Sequence, residues 1–476
     1  MTTPAPTGQP DASVGVGVLE TPALDTLQAT VRGELLQPGD DGYDAARTIY
    51  NAMIDRRPRI IARCADVADV ISAVTFARER QLTLSIRGGG HNVNGFAMND
   101  GGLVVDLSRM RGIRVDLARR TVRAEGGVTL GDLDHATHPF GYAVPGGIIS
   151  TTGIAGLTLG GGIGNLTRTF GLSCDNLLSA DVVTADGRLI TASADEHPDL
   201  FWALRGGGGN FGVVTSFEFR LNPVSTVLGG LVAYPIETAR DAMRLYRDVM
   251  RTAPDELNAY FGFHVAPPVP FIPEGMHGKN ICLIAVCYVG PIERGEEVVR
   301  PIRQFGPPIA DVLGPVPLPA LNSSLDALVP FGNQDYWKSD FVNELTDEAI
   351  EVHVTYGPRV PSVSSGMHLY PVNGAASRVD PSETAWTYRN AQFNHNIFAM
   401  YPDPQDTPKN KAWVQEYWQA LHPYSAPGTY VNFLGDEGED RIRASYGAAY
   451  DRLAQVKKAY DPTNLFHMNQ NIKPAS

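Results

Sequence analysis

At 476 residues the chain exceeds the usual size of one domain, so we expect two domains around a large buried core. Its 39 basic and 52 acidic residues give a net charge of -13, and no run of Lys or Arg forms a stripe that could follow phosphates, which excludes nucleic acid as an expected partner. No stretch approaches the roughly 20 apolar residues of a membrane span, and residues 1–19 lack the pattern of a secretory leader. We therefore expect a soluble, cytoplasmic protein without a membrane partner.

The beginning of the chain predicts alternating helices and strands. We assign residues 1–34 to a flexible lead and a first helix. From Tyr43 to Ile86 the pattern predicts helix, strand, helix, strand, with a short strand at residues 58–64 and a helix that begins after Asp66 as its N-cap. Further elements complete a first domain over residues 35–225. They are a helix at 200–204 and strands at 103–107, 113–115, 121–124, 181–185, 188–191 and 213–221, the two strands before the last joined by the hairpin turn Asp186-Gly187.

Longer strands and amphipathic helices follow from about Leu228, and they predict an α+β domain built on an antiparallel sheet over residues 226–425. The predicted strands are 231–234, 259–265, 281–289, 367–372 and 393–400. The predicted helices are 239–251 and 293–305, the second kinked at Pro301. Residues 426–476, with a helix at about 440–460, are expected to return to the first domain as a cap.

Three glycine clusters stand in the first half of the chain: residues 88–90, residues 146–147 with 153–164, and residues 206–209. Residues 207–212 satisfy the pattern G-x-G-x-x-G, but a strand pattern follows, whereas a dinucleotide-binding fingerprint must open a helix. No G-x-x-x-x-G-K-[ST] phosphate loop occurs. Two explanations remain open from the residues alone. The glycines allow close packing of strands, or they cradle a pyrophosphate between loops, with hydroxyls such as that of Ser150 as additional donors.

Motifs with a common order run from about Pro58 to Lys473. They are Gly89-Gly90-His91-Asn92, Asp106-Leu107, Gly160-Gly161-Gly162, Gly171-Leu172, Asp175-Asn176, Asp199 to Gly207, Asn210 to Thr215, Tyr430 with Asn432, and Asn469-Gln470-Asn471-Ile472. Together they resemble the berberine-bridge-enzyme-like branch of the vanillyl-alcohol-oxidase superfamily of flavoproteins. Residues 92–102 are especially similar to the bacterial 6-hydroxynicotine oxidase type, whereas residues 228–425 match only loosely.

The resemblance implies a fold as well as a cofactor. The fold is α+β: a PCMH-type FAD-binding domain of two subdomains, discontinuous in the chain, with an inserted α+β substrate domain whose antiparallel sheet covers the isoalloxazine. The implied FAD-binding residues are Arg87, Gly88, Gly89, Gly90, His91, Asn92, Gly95, Gly146, Gly147, Ser150, Thr151, Thr152, Gly153, Gly156, Gly162, Val214, Tyr430, Asn432, Asn469 and Asn471.

The resemblance also implies a covalent bond from a ring nitrogen of His91 to the flavin 8α-methyl group. Many relatives attach the flavin a second time through a cysteine, and Ile149 occupies that position here. We therefore expect a single link, with no cysteinyl bond, and we expect Cys174 to be a packed thiol. The alternative for His91 is a histidine that only forms hydrogen bonds.

A flavin oxidase needs a group that removes a proton from the substrate while hydride passes to the flavin. The resemblance places Tyr430 over the flavin, and we predict that it is this base, with Asn432 supporting the ring. The reference pKa of tyrosine is about 10, so a neighbour must lower it or share the proton; Tyr370 is the predicted partner. His395 is predicted to orient substrate. The alternatives, a packing role for Tyr430 and a structural role for His395, stay open.

The sequence thus predicts an FAD-dependent oxidase that takes hydride from a CH–OH or CH–NH group of a small molecule and reduces O2 to hydrogen peroxide. Gly147 supports an oxidase, because a small residue beside the flavin leaves room for dioxygen. No cluster of Cys, His and Asp suggests a metal. Two rivals are an oxidative cyclase or tailoring enzyme of secondary metabolism, and a flavin-binding protein without turnover. The substrate and the oligomeric state are not defined by the sequence.

Overall fold

The computed structural model describes residues 21–476, so the predicted flexible lead lies outside the described residues. A helix, Thr21–Thr30, opens the described part. Within it the strands form three main sheets, and helices pack on them. The chain is α+β, as its sequence predicts. No helix among the described residues is long and apolar enough to cross a membrane.

The first sheet has four strands in the order Glu34–Leu36, Ile60–Arg63, Leu103–Asp106, Leu84–Arg87. The last three run parallel. Helix Val67–Glu79 begins after Asp66, whose carboxylate accepts the backbone N–H groups of Ala68 at 3.0 Å and Asp69 at 3.3 Å. The predicted order of helix (Tyr43–Arg47), strand, helix and strand is confirmed. The strand Leu84–Arg87 leads directly into the first glycine loop, residues 88–90, at the carboxyl edge of the parallel strands.

The second sheet is antiparallel, with the order Ile113–Asp116, Thr121–Glu125, Val213–Arg220, Leu177–Val183, Leu189–Ser193. The predicted hairpin turn is confirmed, and Gly187 adopts a φ of 84° that favours glycine. The first strand of this hairpin, Leu177–Val183, begins earlier than predicted. The helices of this region are Leu130–Thr137, Ile154–Leu159, Thr167–Phe170 and Pro198–Leu204, and the strands Tyr142–Ala143 and Asn222–Pro223 form a separate pair.

The third sheet has eight strands, all paired antiparallel. Their order is Ala310–Asp311, Thr226–Pro235, Asn280–Tyr288, Leu257–Val265, Gly366–Pro371, Phe393–Tyr401, Gln334–Val342, with Gly314–Pro317 paired to Thr226–Pro235. The edge strand Gln334–Val342 is absent from the sequence prediction, because it carries polar residues such as Asp335, Ser339 and Asp340 at buried positions. Five strands of this sheet were predicted, each with shorter or shifted bounds.

Helices cover one face of the third sheet. The predicted helix Ala239–Thr252 buries Met243 and Tyr246 against Phe261, and Ile292–Arg303 ends two residues after Pro301 rather than at residue 305. Two longer helices of this layer are missing from the sequence prediction, Asp347–Tyr356 and Thr407–Leu421; shorter ones are Leu318–Asn322 and Ala375–Arg378. The opposite face of the sheet carries residues such as Tyr260 and Tyr370 and turns toward the glycine loops.

The C-terminal segment packs on the first half of the chain. The single helix predicted at 440–460 is wrong: Glu439–Tyr446 and Tyr450–Tyr460 are separated at Gly447, whose φ is 53°. Inside the second helix, Lys457 donates to Asp461 Oδ2 at 2.6 Å and to the backbone oxygens of Asn210 at 2.7 Å and Phe466 at 2.9 Å. This fully buried cation ties the C-terminal segment to the third glycine cluster.

We expect Asp461→Asn to lower the free energy of unfolding by about 3–5 kcal/mol, because it leaves the buried Lys457 charge without its partner. Urea denaturation followed by circular dichroism measures the change. Lys473→Met is the matched control, since it removes the exposed ion pair with Glu439 from the same segment, and it is expected to leave the denaturation midpoint almost unchanged. Equal losses in both variants would contradict the anchoring role of Lys457.

Candidate functional site

A cavity of about 350 Å³ lies between the glycine loops and the helix-free face of the third sheet. Its walls combine four parts of the chain. These are residues 88–92 with 147–149, 152, 153 and 155–157, residues 208, 209, 212 and 214, the sheet residues 264, 337, 368, 370, 396, 398 and 400, and the C-terminal residues 430–433, 466 and 468–470. No Asp, Glu, Lys or Arg belongs to the lining that the described residues form.

The first glycine loop packs main chain against main chain. A Cβ atom added at Gly89 would lie 2.3 Å from the backbone nitrogen of Gly153, and one added at Gly153 would lie equally close to the nitrogen of Gly89. A Cβ at Gly88 would lie 3.2 Å from the carbonyl oxygen of Gly126, and Gly90 adopts a φ of 71°. Close packing therefore explains Gly89 and Gly153, and the loop remains free to present its other side to the cavity.

His91 follows this loop and lines the cavity. Its ring stacks on Tyr50 with ring centroids 4.2 Å apart, and Phe331 contacts it edge to face with ring centroids 5.1 Å apart. Thr151 Oγ1 is 3.1 Å from Nε2, and Thr152 Oγ1 is 3.5 Å from Nδ1. Burial lowers the pKa of His91 to about 4. The imidazole is therefore neutral at pH 7 and has a nitrogen lone pair for bonding.

The predicted cofactor residues divide into two groups. Those that line the cavity are Gly88, Gly89, Gly90, His91, Asn92, Gly147, Thr152, Gly153, Gly156, Val214, Tyr430, Asn432 and Asn469. Those that do not are Arg87, Gly95, Gly146, Ser150, Thr151, Gly162 and Asn471, and their contact with the cofactor stays a prediction.

Supporting contacts occupy several of this second group. The backbone N–H of Ser150 donates to Asp326 Oδ1 at 3.0 Å, which ties the second glycine cluster to the other domain, and Arg87 donates to the carbonyl of Ala46. At the cavity wall, by contrast, Asn469 donates from Nδ2 to Gly209 and Phe466, while its buried Oδ1 has no hydrogen-bond partner among the described residues. A glycine-lined cradle with an unpaired amide oxygen suits a ligand that carries O–H or N–H groups, and FAD fits that description.

The second glycine cluster contributes the position of the second flavin link. Ile149 lines the cavity, whereas Cys174 is fully buried outside it, and burial raises the pKa of its thiol. Cys174 is a packed thiol, as predicted. A Cβ at Gly147 would lie 2.9 Å from Leu157 Cδ1 and 3.3 Å from Leu130 Cδ1, so packing favours a glycine here, and its role in admitting dioxygen stays a prediction.

Tyr430 lies at the end of the cavity with its hydroxyl held in place. The oxygen accepts the backbone N–H of Gly162 at 2.8 Å and Nδ2 of Asn432 at 2.7 Å. Burial raises the pKa of Tyr430, although both donors act in the opposite direction. Tyr430 is therefore neutral at pH 7. Since two N–H groups already occupy its acceptor positions, the hydroxyl hydrogen is the part left for another molecule.

Two predicted catalytic residues make contacts other than those expected. Tyr370 lines the cavity, but its hydroxyl bonds to His368 Nδ1 at 2.5 Å, so the predicted sharing of a proton with Tyr430 is corrected. His395 points to the opposite face of its strand: it is fully buried, 3.9 Å from Asp340, while Asn396 lines the cavity. The prediction that His395 orients substrate is wrong, because neighbouring strand residues face opposite ways.

Sequence reasoning missed several residues that line the cavity, among them Tyr50, Trp337, His264, His368 and Phe398. A signal was present for two of them. His264 and His368 fall on predicted strands, where they alternate with the core residues Phe263 and Met367 that face the helices. Strict alternation would have placed both histidines on the cavity face. Trp337 lies on the strand that was not predicted, so nothing in the pattern located it.

Comparison with known proteins agrees with this geometry. Two family models match: an FAD binding domain over residues 58–193, and "Berberine and berberine like" over residues 429–473. An FAD-linked oxidoreductase of Dictyostelium discoideum is 32% identical over 95% of this chain and 97% of its own length. (R)-6-hydroxynicotine oxidase of Paenarthrobacter nicotinovorans is 32% identical over 94% and 97%. The crystal structure of 6-hydroxy-D-nicotine oxidase from Arthrobacter nicotinovorans superposes with a TM-score of 0.85 at 28% identity, covering 96% of this chain and 100% of that chain.

We expect Gly89→Ala to reduce the flavin content of the purified protein and to lower its thermal midpoint, because its methyl group must displace the backbone of Gly153, and such overpacking costs about 1–3 kcal/mol. The absorbance ratio at 450 and 280 nm and a thermal melt measure both effects. Gly275→Ala is the control, since an added Cβ there meets nothing within 4 Å. A Gly89→Ala protein with full flavin and an unchanged melt would show that the two loops separate freely.

Proposed function

We propose a function from one premise: the chain belongs to the berberine-like family of FAD-linked oxidoreductases, with the predicted PCMH-type FAD-binding fold and an inserted domain on an antiparallel sheet. The proposed reaction is the oxidation of a CH–OH or CH–NH group of a small molecule, with O2 as the final electron acceptor and hydrogen peroxide as product. The observation that carries it is one cavity lined both by the neutral His91 and by Tyr430, whose hydroxyl is fixed by Gly162 and Asn432.

FAD, when bound, takes a hydride from the substrate and passes the electrons on to dioxygen. We propose that His91 holds it through a covalent bond to a ring nitrogen, because a neutral imidazole is the nucleophilic form. Its ring is fixed between Tyr50 and the hydroxyls of Thr151 and Thr152. A second bond through sulfur is not proposed, since Ile149 has no nucleophile and Cys174 lies outside the cavity.

The substrate proposed here is neutral and mainly apolar. The cavity has no charged lining residue, and aromatic or aliphatic side chains such as Tyr50, Trp337, Phe398 and Met400 form much of its wall. A sugar chain would leave many hydroxyl groups unpaired against this surface. Aromatic and alicyclic alcohols or cyclic amines fit it better. The same wall favours, as a second candidate, oxidative ring closure or tailoring of an aromatic scaffold.

Tyr430 is proposed to hold the oxygen or nitrogen from which the substrate loses its proton. In the neutral form its hydroxyl donates, because Gly162 and Asn432 fill its acceptor positions. The base predicted from the sequence therefore requires a phenolate, which these two N–H donors would stabilise and burial opposes.

His91→Ala is expected to abolish the covalent bond. After acid precipitation the yellow colour should stay with the wild-type pellet and pass entirely to the supernatant of the variant. Cys174→Ala is the matched control and should keep the colour in the pellet. Covalent flavin in the His91→Ala protein would contradict the single histidyl link, as would a wild-type chromophore that leaves completely on precipitation.

Tyr430→Phe is expected to slow flavin reduction by roughly 10²-fold or more, because it removes the hydroxyl beside the reacting atom. Anaerobic stopped-flow absorbance at 450 nm measures this rate with a panel of neutral aromatic alcohols and cyclic amines. Tyr417→Phe is the control: this buried hydroxyl bonds to His353 Nδ1 at 2.7 Å on the helix face of the third sheet and does not line the cavity. An unchanged rate in Tyr430→Phe would exclude the proposed contact, and a wild-type protein reduced by no member of the panel would favour a flavin-binding protein without turnover.

A further inference from the structure

Three polar side chains form a continuous hydrogen-bonded row on the sheet face of the cavity. Tyr370 Oη lies 2.5 Å from His368 Nδ1, and His368 Nε2 lies 2.7 Å from His264 Nε2. The His264 ring also bonds to the backbone of Ser365. All three side chains line the cavity, and His264 is the one that is partly exposed.

The row has one consistent direction of donation. His264 Nδ1 lies beside the Ser365–Gly366 backbone, and the Ser365 backbone bond raises the pKa of the ring. We therefore assign the donated hydrogen to Nδ1, the nitrogen that does not face His368. His264 Nε2 then accepts, and His368 Nε2 must donate to it. His368 Nδ1 is in turn an acceptor, and the Tyr370 hydroxyl donates to it. Every hydrogen in the row points away from the cavity end of Tyr370.

Apolar rings keep both histidines neutral. The ring centroid of Tyr260 lies 4.7 Å from that of His368 and 5.4 Å from that of Tyr370, and the ring centroid of Phe398 lies 4.9 Å from that of His368. Burial lowers the pKa of His264 to about 4 and lowers that of His368 as well. At pH 7 the row carries no extra proton and has room for one. Tyr370 differs from Tyr430 in its hydrogen bonds: in this assignment its O–H donates to His368, and no described residue donates to its oxygen, whereas Gly162 donates to that of Tyr430.

We propose that Tyr370, His368 and His264 form a proton relay that takes the proton from the O–H or N–H group of the substrate. This inference rests on the proposed function and specifies its base: Tyr370 touches the substrate, while the two histidines act through it. The substrate C–H bond breaks as hydride leaves for the flavin, and the substrate O–H proton passes to Tyr370 as a C=O bond forms. The Tyr370 proton moves to His368 Nδ1, and the proton on His368 Nε2 moves to His264 Nε2. Tyr370 and His368 end neutral, and the partly exposed His264 holds the charge until solvent removes it.

Tyr430 completes this arrangement from the other side. Its hydroxyl donates to the substrate oxygen, while the substrate hydroxyl donates to Tyr370. A substrate that bears one such donor on an otherwise apolar frame satisfies both tyrosines. The Phe433 ring contacts both tyrosine rings, with centroids 6.0 Å from that of Tyr370 and 4.9 Å from that of Tyr430, and all three residues line the same cavity.

Histidine tautomers test the relay without turnover. In flavin-loaded protein labelled with 15N-histidine, we expect His368 to carry its proton on Nε2 and His264 on Nδ1 at pH 7, with assignments from His368→Gln and His264→Gln. Tyr370→Phe should shift the Nδ1 signal of His368. Tyr417→Phe is the matched control, because Tyr417 makes the equivalent buried bond to His353 Nδ1 at 2.7 Å on the helix face of the sheet, and it should move only the His353 signal. The opposite tautomers, or a protonated His264 at pH 7, would overturn the relay.

Kinetics separate this inference from the proposed function. With cinnamyl alcohol and 2-phenylpyrrolidine as probes, Tyr370→Phe is expected to slow flavin reduction by roughly 10²-fold, and His264→Gln by at least about tenfold, whereas Tyr417→Phe keeps the wild-type rate. Reduction at the wild-type rate in Tyr370→Phe would overturn the relay and leave Tyr430 as the base, with the oxidase function intact. If neither probe reduces the wild-type flavin, the oxidase proposal loses support for these substrates, and the tautomer measurement still decides the relay.

Discussion

The contact between the main chains of Gly89 and Gly153 is the constraint on which the rest of the site depends. With each α-carbon turned toward the other loop, a Cβ on either residue would lie 2.3 Å from a backbone nitrogen. This approach brings the end of the parallel sheet against the helix Ile154–Leu159 and leaves His91 at the rim of the resulting cradle. The two glycines therefore allow the loops to pack against each other, and this packing forms the surface that suits a flavin.

The third sheet supplies the other half of the site by having two different faces. Its residues alternate between a helix-covered core, represented by Phe261 and Met243, and the cavity wall, represented by Tyr260 and Tyr370. Because the helices pack on only one face of this sheet, its other face can cover the cradle. Tyr370, His368 and His264 on this face are hydrogen-bonded to one another rather than to charged residues, and this pairing makes an uncharged cavity compatible with acid and base chemistry.

The direction of hydrogen bonds distinguishes two tyrosines that are otherwise alike. Both are buried at the same cavity, and burial raises the pKa of each. Gly162 and Asn432 donate to Tyr430, whereas in the proposed relay Tyr370 donates to His368. The Tyr430 hydroxyl is thereby left to donate to a substrate and the Tyr370 oxygen to accept from it, a difference that residue type alone does not reveal.

Local patterns of residues are enough to predict the α+β class, the hairpin at Asp186-Gly187, the cap at Asp66 and the flavoprotein family, because turn chemistry, helical spacing and glycine motifs are local properties of the chain. The sequence also locates His91 and Tyr430 through their motifs. Only the tertiary structure decided which way each side chain points. The edge strand Gln334–Val342 is not predicted, because polar residues occupy its buried positions. His395 is predicted on the wrong face of its strand, because side chains alternate between faces and a shift of one position reverses the direction. His264 and His368 lie 104 residues apart, and they meet only because strand register brings them side by side, a pairing that long-range packing creates and local sequence does not record.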